Sequence, residues 1–198
     1  MQLWEFYHIT DPDILKKISH ACMDQQAAKT AKQIVVFVTR QDLHRKRSKE
    51  ILEFEKGNIA RNSPPEKQER RWKKRQVYYN RLIPFIYSRF FRIFGLFRKI
   101  LAISISLFRP MITSLSESDM RVVVHKTCGL AAQTFMIAMS EIGYDTCPLE
   151  GFDSCRVKKI LKLPCSAEIN MIIPCGIRKG TRGIWGERFR VPFEEEYR

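Results

Sequence analysis

"GYDTCPLEGFDSCRVKKILKLP", from Gly143 to Pro164, reads as the end of one helix, a short turn and the start of another. Gly143 is a natural stop, because glycine accepts the left-handed conformation that closes a helix. Asp153 can cap "SCRVKKILKL", whose Val157, Ile160 and Leu161 face inward before Pro164 ends it. Between these signals lie Pro148, Leu149, Glu150 and Gly151. Either this is a plain turn between helices, or something lies against its backbone. A glycine there permits an approach that a Cβ would block.

The segments on both sides have a clear local character. Upstream, "SESDMRVVVHKTCGLAAQTFMIAMSEIGYD" predicts a helix capped by Ser118 or Asp119, with Leu130, Ala131, Phe135, Ala138, Met139 and Ile142 on its buried face. The small residues Gly129, Ala131 and Ala132 would admit another helix or a flat ligand. Downstream, "AEINMIIPCGI" (Ala167–Ile177) predicts a buried strand. Near the start, "LWEFYHI" (Leu3–Ile9) and "QIVVFVT" (Gln33–Thr39) are strand-like, the second an unbroken apolar run suited to a sheet centre. Between them Asp11 caps a helix with Pro12 at its first position, and Ile14, Leu15 and Ile18 form its apolar face.

The charge of the chain is concentrated. The whole carries a formal +14 over 198 residues, which points to an anionic partner. From Arg40 to Arg109 there are 19 Lys and Arg against 6 Asp and Glu, so +13 of that charge lies there. Within this stretch Ser63–Pro65 is a break. "NRLIPFIYSRFFRIFGLFRKIL" (Asn80–Leu101) predicts one amphipathic helix, with Arg81, Arg89, Arg92 and Lys99 on one side and an aromatic, apolar face opposite. A lid over a ligand, a membrane-surface helix at residues 80–101 and a nucleic-acid site are the three readings. No known nucleic-acid motif is present, so lid or membrane docking is preferred.

Other classes find little support. Six cysteines at irregular spacings, with no Cys-x-x-Cys pair and no histidine beside one, do not suit a zinc site. They read as reduced, buried thiols of a cytoplasmic protein. The opening "MQLWEFYHITDPD" has neither the basic start nor the apolar run of a signal peptide. No spanning helix is expected, since the longest uncharged apolar candidate, Ile100–Phe108, is half the needed length.

The order of a long apolar helix, Gly143, then Pro148, Glu150, Gly151, Phe152 and Asp153, a short capped helix and a buried strand ending "CGI" resembles the nitroreductase family of flavin enzymes. The resemblance implies an α+β fold, with a mixed sheet flanked by helices, and a homodimer holding FMN at its interface. It covers residues 1–39 and 119–198 as the core and leaves 40–118 as a helical basic insertion. The family's opening helix and its Arg-Ser-x-Arg-like phosphate segment have no counterpart in the sequence. By the resemblance, the loop Pro148, Leu149, Glu150 and Gly151 lies by the flavin, with the backbone of Glu150 and Gly151 near its reactive nitrogen.

Further expectations come from the same resemblance. "ERFRVPFEEEY" matches the family's closing segment, which implies phosphate contacts from Arg188 and Arg190 ahead of Pro192; otherwise these are solvated strand charges. "QLWEFYHITDP" matches the segment where Gln2 would reach the flavin edge and Trp4 would be core, with Leu3 in place of the usual proline. Lys126 stands where relatives carry a basic residue, near the flavin or its phosphate, or simply at the surface. The implied activity is an FMN-dependent oxidoreductase, using NAD(P)H to reduce a nitroaromatic, quinone or similar small acceptor by a ping-pong mechanism. The cofactor carries the chemistry in such enzymes, so no side chain is nominated as catalytic and none as a metal ligand. The alternative is a non-enzymatic module of the same fold that binds an anionic membrane surface.

Overall fold

A computed structural model describes residues 1–89, 93–181, 186, 187 and 189–197. The centre is the apolar run foreseen in the sequence, β2 (Gln33–Thr39), in which every residue after Gln33 is buried. It lies between β1 (Trp4–Ile9) and β4 (Glu168–Gly176), with the two-residue β3 (Asp145–Thr146) beyond β4, in the order β1-β2-β4-β3. A mixed sheet was expected; every pairing among the described strands is antiparallel.

The strand period divides the core into two layers. Ile34, Val36 and Val38 join the cluster formed with α1 (Pro12–Ala21), α2 (Gln26–Thr30) and α8 (Ser154–Ile160), which includes Ile18, Ala28, Val157 and Ile172. Val35 and Phe37 point the other way, toward Cys128 and Ala132 of the long helix α7 (Glu117–Glu141). The expected caps are present at two ends. The Asp11 carboxylate accepts from the N–H groups of Asp13 and Ile14, with Pro12 following, and the Asp153 carboxylate accepts from Arg156 N–H. Gly143, at φ +83°, ends α7: its own N–H reaches Ser140 O and Tyr144 N–H reaches Met139 O. That is the two-bond closure that a left-handed glycine allows.

Several expectations are corrected. Helix α7 is capped by Ser116, not Ser118 or Asp119; Asp119 instead completes a reciprocal capping box with it. Its buried face is Met120, Val124, Cys128 and Ala132, with Phe135 and Met139 partly covered, whereas Leu130, Ala138 and Ile142 are exposed. By length and composition α7 could also cross a membrane, where no such helix was expected. Its packing on the sheet accounts for one stripe of its apolar surface, and most of the rest is exposed. Of the thiols, Cys22, Cys128 and Cys175 are buried, but Cys147, Cys155 and Cys165 are exposed.

The basic stretch forms α3 (His44–Asn62) and α4 (Pro65–Val77), separated at Ser63 and Pro64. A π-helical turn (Tyr78–Leu82) then leads into α5 (Ile83–Tyr87). The single helix expected over Asn80–Leu101 does not exist. Ser88 is extended, at ψ 142°, and α6 (Ile93–Ser106) starts anew. Arg81, Arg89 and Lys99 therefore do not share one helical face, and Arg92 lies outside the described residues. Gly95 lets α6 approach the start of α7: a Cβ there would lie 2.5 Å from the Glu117 backbone nitrogen. The buried Arg98 donates to the carbonyls of Leu115, Phe85 and Ser88, binding α6 to α5 and to the connection that precedes α7.

Candidate functional site

The Pro148–Gly151 loop is an edge piece of the sheet, rather than a free turn between helices. Leu149 exchanges two backbone hydrogen bonds with Ile172 of β4, at 2.8 and 3.2 Å, and buries its side chain in the core. Its backbone is thus committed to the fold, and its part is to anchor the loop. Pro148, Glu150 and Gly151 are exposed around that anchor. Asp153 N–H donates to Ala21 O at 2.7 Å, and the Gln25 amide donates to Gly151 O at 2.8 Å. The loop is therefore held on one side by the sheet and on the other by the α1–α2 connection.

That connection is itself unusual. Met23 and Asp24 both have left-handed backbones, at φ +58° and +50°, which non-glycine residues adopt at a cost. Asp24 is held there by Ser19 Oγ and His20 Nδ1 on its carboxylate and by its own N–H on Ser19 O. The result is that Gln25 leaves the turn aimed at Gly151. Sequence reasoning missed Gln25, a glutamine between two helices with no periodic or motif signal.

The loop fits a flavin on two observations. Among the described residues no hydrogen bond occupies the N–H of Glu150 or of Gly151. Moreover, nothing among the described residues demands a glycine at 151: it needs no left-handed backbone, and an added Cβ would only reach ordinary contact with Gln25 Nε2, at 3.4 Å. A glycine that the fold does not need, beside two unoccupied donors, suits close approach of a flat ligand.

The other expected residues are not gathered around this loop in one protomer. Gln2 is exposed at the head of β1, and β2 and β4 separate that strand from the loop; three strand spacings amount to roughly 14 Å. Lys126 is exposed on α7, one turn before Leu130. Arg190 is exposed, and among the described residues its guanidinium donates to the neighbouring Phe189 carbonyl alone. Arg188 lies outside the described residues.

A second polar cluster lies at the start of β4. Glu168 receives Arg121 Nε and His125 Nε2 on one oxygen and Arg89 on the other. The His125 hydrogen bond, reinforced by Arg121 and Arg89, holds its carboxyl down at about 2 against the cost of burial. A bulge in the β2–β4 register skips Asn170 and places its amide on His125 Nδ1 at 3.2 Å. An amide nitrogen only donates, so Nδ1 accepts and Nε2–H points at Glu168.

Comparison with known proteins bears on this geometry. MhqN of Bacillus subtilis (strain 168), provisionally named an NAD(P)H nitroreductase, is 41% identical over 70 residues, 35% of this chain and 34% of that protein. Protein DrgA of Synechocystis is 38% identical over 53 residues, 27% of this chain and 25% of that protein. The aligned segments thus span 34% and 25% of these relatives' length. Among solved structures, a nitroreductase family protein of Streptococcus pneumoniae superposes with a TM-score of 0.62 at 16% identity, over 97% of this chain and 76% of that one. A protein of Exiguobacterium sibiricum crystallised in complex with FMN gives 0.61 at 14% identity, over 98% and 75%. At such identities the structures speak for the fold. The Nitroreductase family model matches residues 1–177, from the head of β1 through the loop to the end of β4, and by that match the chain belongs to the nitroreductase family.

Proposed function

We propose that the chain is an FMN-dependent oxidoreductase that takes reducing equivalents from NAD(P)H and passes them to a nitroaromatic, a quinone or a similar small acceptor. The observation that carries this reading is the braced loop with open Glu150 and Gly151 N–H groups and a glycine its own fold does not require. When bound, FMN would supply the two-electron chemistry of a ping-pong cycle. The chain's residues would bind and orient it: Leu149 and Gln25 fix the loop, and Glu150 and Gly151 offer backbone donors. Gln2 and Lys126 are proposed for the flavin's edges, and Arg190 for its phosphate, where a guanidinium makes charge-assisted hydrogen bonds. The FMN complex of the Exiguobacterium structure and the nitroreductase name of MhqN support this assignment.

The same reading includes a homodimer. Val122, Leu130 and Ile137 form an exposed apolar line on α7, with Lys126 among them, on the side away from the sheet. A second copy would cover it. Six free cysteines suit a reducing compartment such as the cytoplasm.

Titration with FMN and with riboflavin, which lacks the phosphate, tests the site. Gly151→Val should weaken both ligands by steric clash. Arg190→Ala should weaken FMN about tenfold or more and leave riboflavin unchanged, because one charge-assisted hydrogen bond is lost. Equal loss of riboflavin in Arg190→Ala overturns the phosphate role, and unchanged binding in both variants overturns the site.

A further inference from the structure

Helix α6 is apolar on the outside. Leu96, Phe97, Ile100 and Ile103 are exposed, as are Leu107 at 77% and Phe108 at 89% in the turn that follows it. The inward stripe is narrow and consists of Gly95, Arg98 and Ala102. At about 100° per residue, these three cluster on one side, and Leu96, Phe97, Ile100 and Ile103 spread over the opposite side of the helix. The apolar surface continues past the helix into Met111 and Ile112, both exposed. The anchoring is strong for so exposed a helix. The buried Arg98 holds three carbonyls, and Gly95 packs on the backbone of Glu117. The fold presents this apolar face; it is not loose chain.

The segment itself carries charge of one sign, while Glu117 of α7 packs on Gly95 at its inner side and Asp119 lies within electrostatic reach of Lys99. From Arg70 to Ser116 the sequence holds eleven Lys and Arg and no Asp or Glu. Lys99 and Arg109 are exposed at the margin and at the end of the apolar face. The first condition for an occupant is therefore apolar substance, and the second is negative charge.

We propose that α6 and the segment to Ile112 dock on an anionic lipid bilayer, lying in the plane of its surface. An anionic membrane meets both conditions, since the apolar face enters the acyl boundary while Lys99 and Arg109 reach the headgroups. The helix is about 21 Å long, and its 14 residues fall short of the roughly 20 needed to span. A second copy packed here face to face would bring a second basic segment, with its own Lys99 and Arg109, against the first, which opposes that occupant. Nucleic acid would satisfy the charge but leave the aliphatic face in water. This surface is separate from the flavin loop, and its test does not depend on the cofactor.

The test is co-sedimentation with vesicles of phosphatidylcholine alone and of phosphatidylcholine mixed with phosphatidylglycerol, at low and high salt. The full chain should bind the anionic vesicles and release them as salt rises. The double variant Leu107→Ser, Phe108→Ser should bind them at least about tenfold more weakly, since two exposed apolar side chains no longer enter the lipid. Both positions are exposed, so its thermal melt should match the parent. Lys99→Glu should weaken binding and flatten the salt dependence. Equal binding to both vesicle types overturns the proposal, as does undiminished binding by the double variant. A double variant that changes oligomeric state in light scattering while keeping vesicle binding assigns α6 to a subunit interface and also overturns it.

Discussion

Glu168→Gln isolates the charge that ties the basic stretch to the sheet. The carboxylate opens β4 and meets Arg121 and His125 of α7 and Arg89, which follows α5. Arg89 also donates to the Gln41 side chain, and the Gln41 amide donates to Tyr87 O at 3.2 Å. One acid thus joins the sheet, the long helix and the end of α5. Its side chain is 24% exposed, so the interaction is only partly screened. The magnitude follows from its protonation. The carboxyl is lowered from 4.5 to about 2, and at about 1.4 kcal/mol per pH unit this amounts to roughly 3 kcal/mol. For a chain of this size, that is a fall in Tm of roughly 6–12 °C at neutral pH.

The sign fixes the pH dependence. A carboxyl with a lowered folded-state value stabilises fully above its unfolded value, and that contribution is lost as pH falls through the folded one. The gap between parent and Glu168→Gln should therefore be constant near neutrality and shrink as pH falls from 4.5 toward about 2. Urea unfolding of both proteins at stepped pH measures the gap directly. If it keeps its full size throughout that window, the loss comes from packing and the ionic account is wrong.

Two other outcomes are expected. Gly95→Ala should lower stability by about 1–3 kcal/mol in thermal unfolding despite the better helix propensity of alanine, because the new methyl meets the Glu117 backbone at 2.5 Å; a stabilised variant would show that α6 can move off α7. Thiol titration of the native protein should find no more than three reactive cysteines, Cys147, Cys155 and Cys165, and six after unfolding. Burial pushes Cys22 and Cys175 up to about 11 and Cys128 up to about 12, so a fourth fast thiol would contradict the packing.

What the sequence made legible was the chemistry of short range. Asp11 with Pro12, Asp153 and Gly143 mark helix ends because each satisfies or closes backbone groups within a few residues of itself. The run Gln33–Thr39 reads as a central strand because only a strand covered on both faces tolerates six buried residues in succession. The faces of α7 were not legible for the opposite reason. Apolar residues surround that helix, so periodicity cannot choose among them, and the sheet selected Cys128 and Ala132 over the bulkier Leu130.

The break at Ser88 escaped for a related reason. A helical wheel assumes an unbroken helix, and the residues that reward the break are distant: Arg98 takes the Ser88 carbonyl from the next helix, and Arg89 reaches Glu168 on the far side of the sequence. The candidate site divides in the same way. Pro148, Glu150 and Gly151 stand out as a motif, but the brace that holds them depends on two left-handed residues, of which Asp24 suits that conformation and Met23 does nothing to announce it. Gln25 reaches Gly151 across 126 positions of sequence because of that turn. A loop motif therefore marks a candidate site in the sequence, while the residue that keeps the loop in place is visible only once the chain has folded around it.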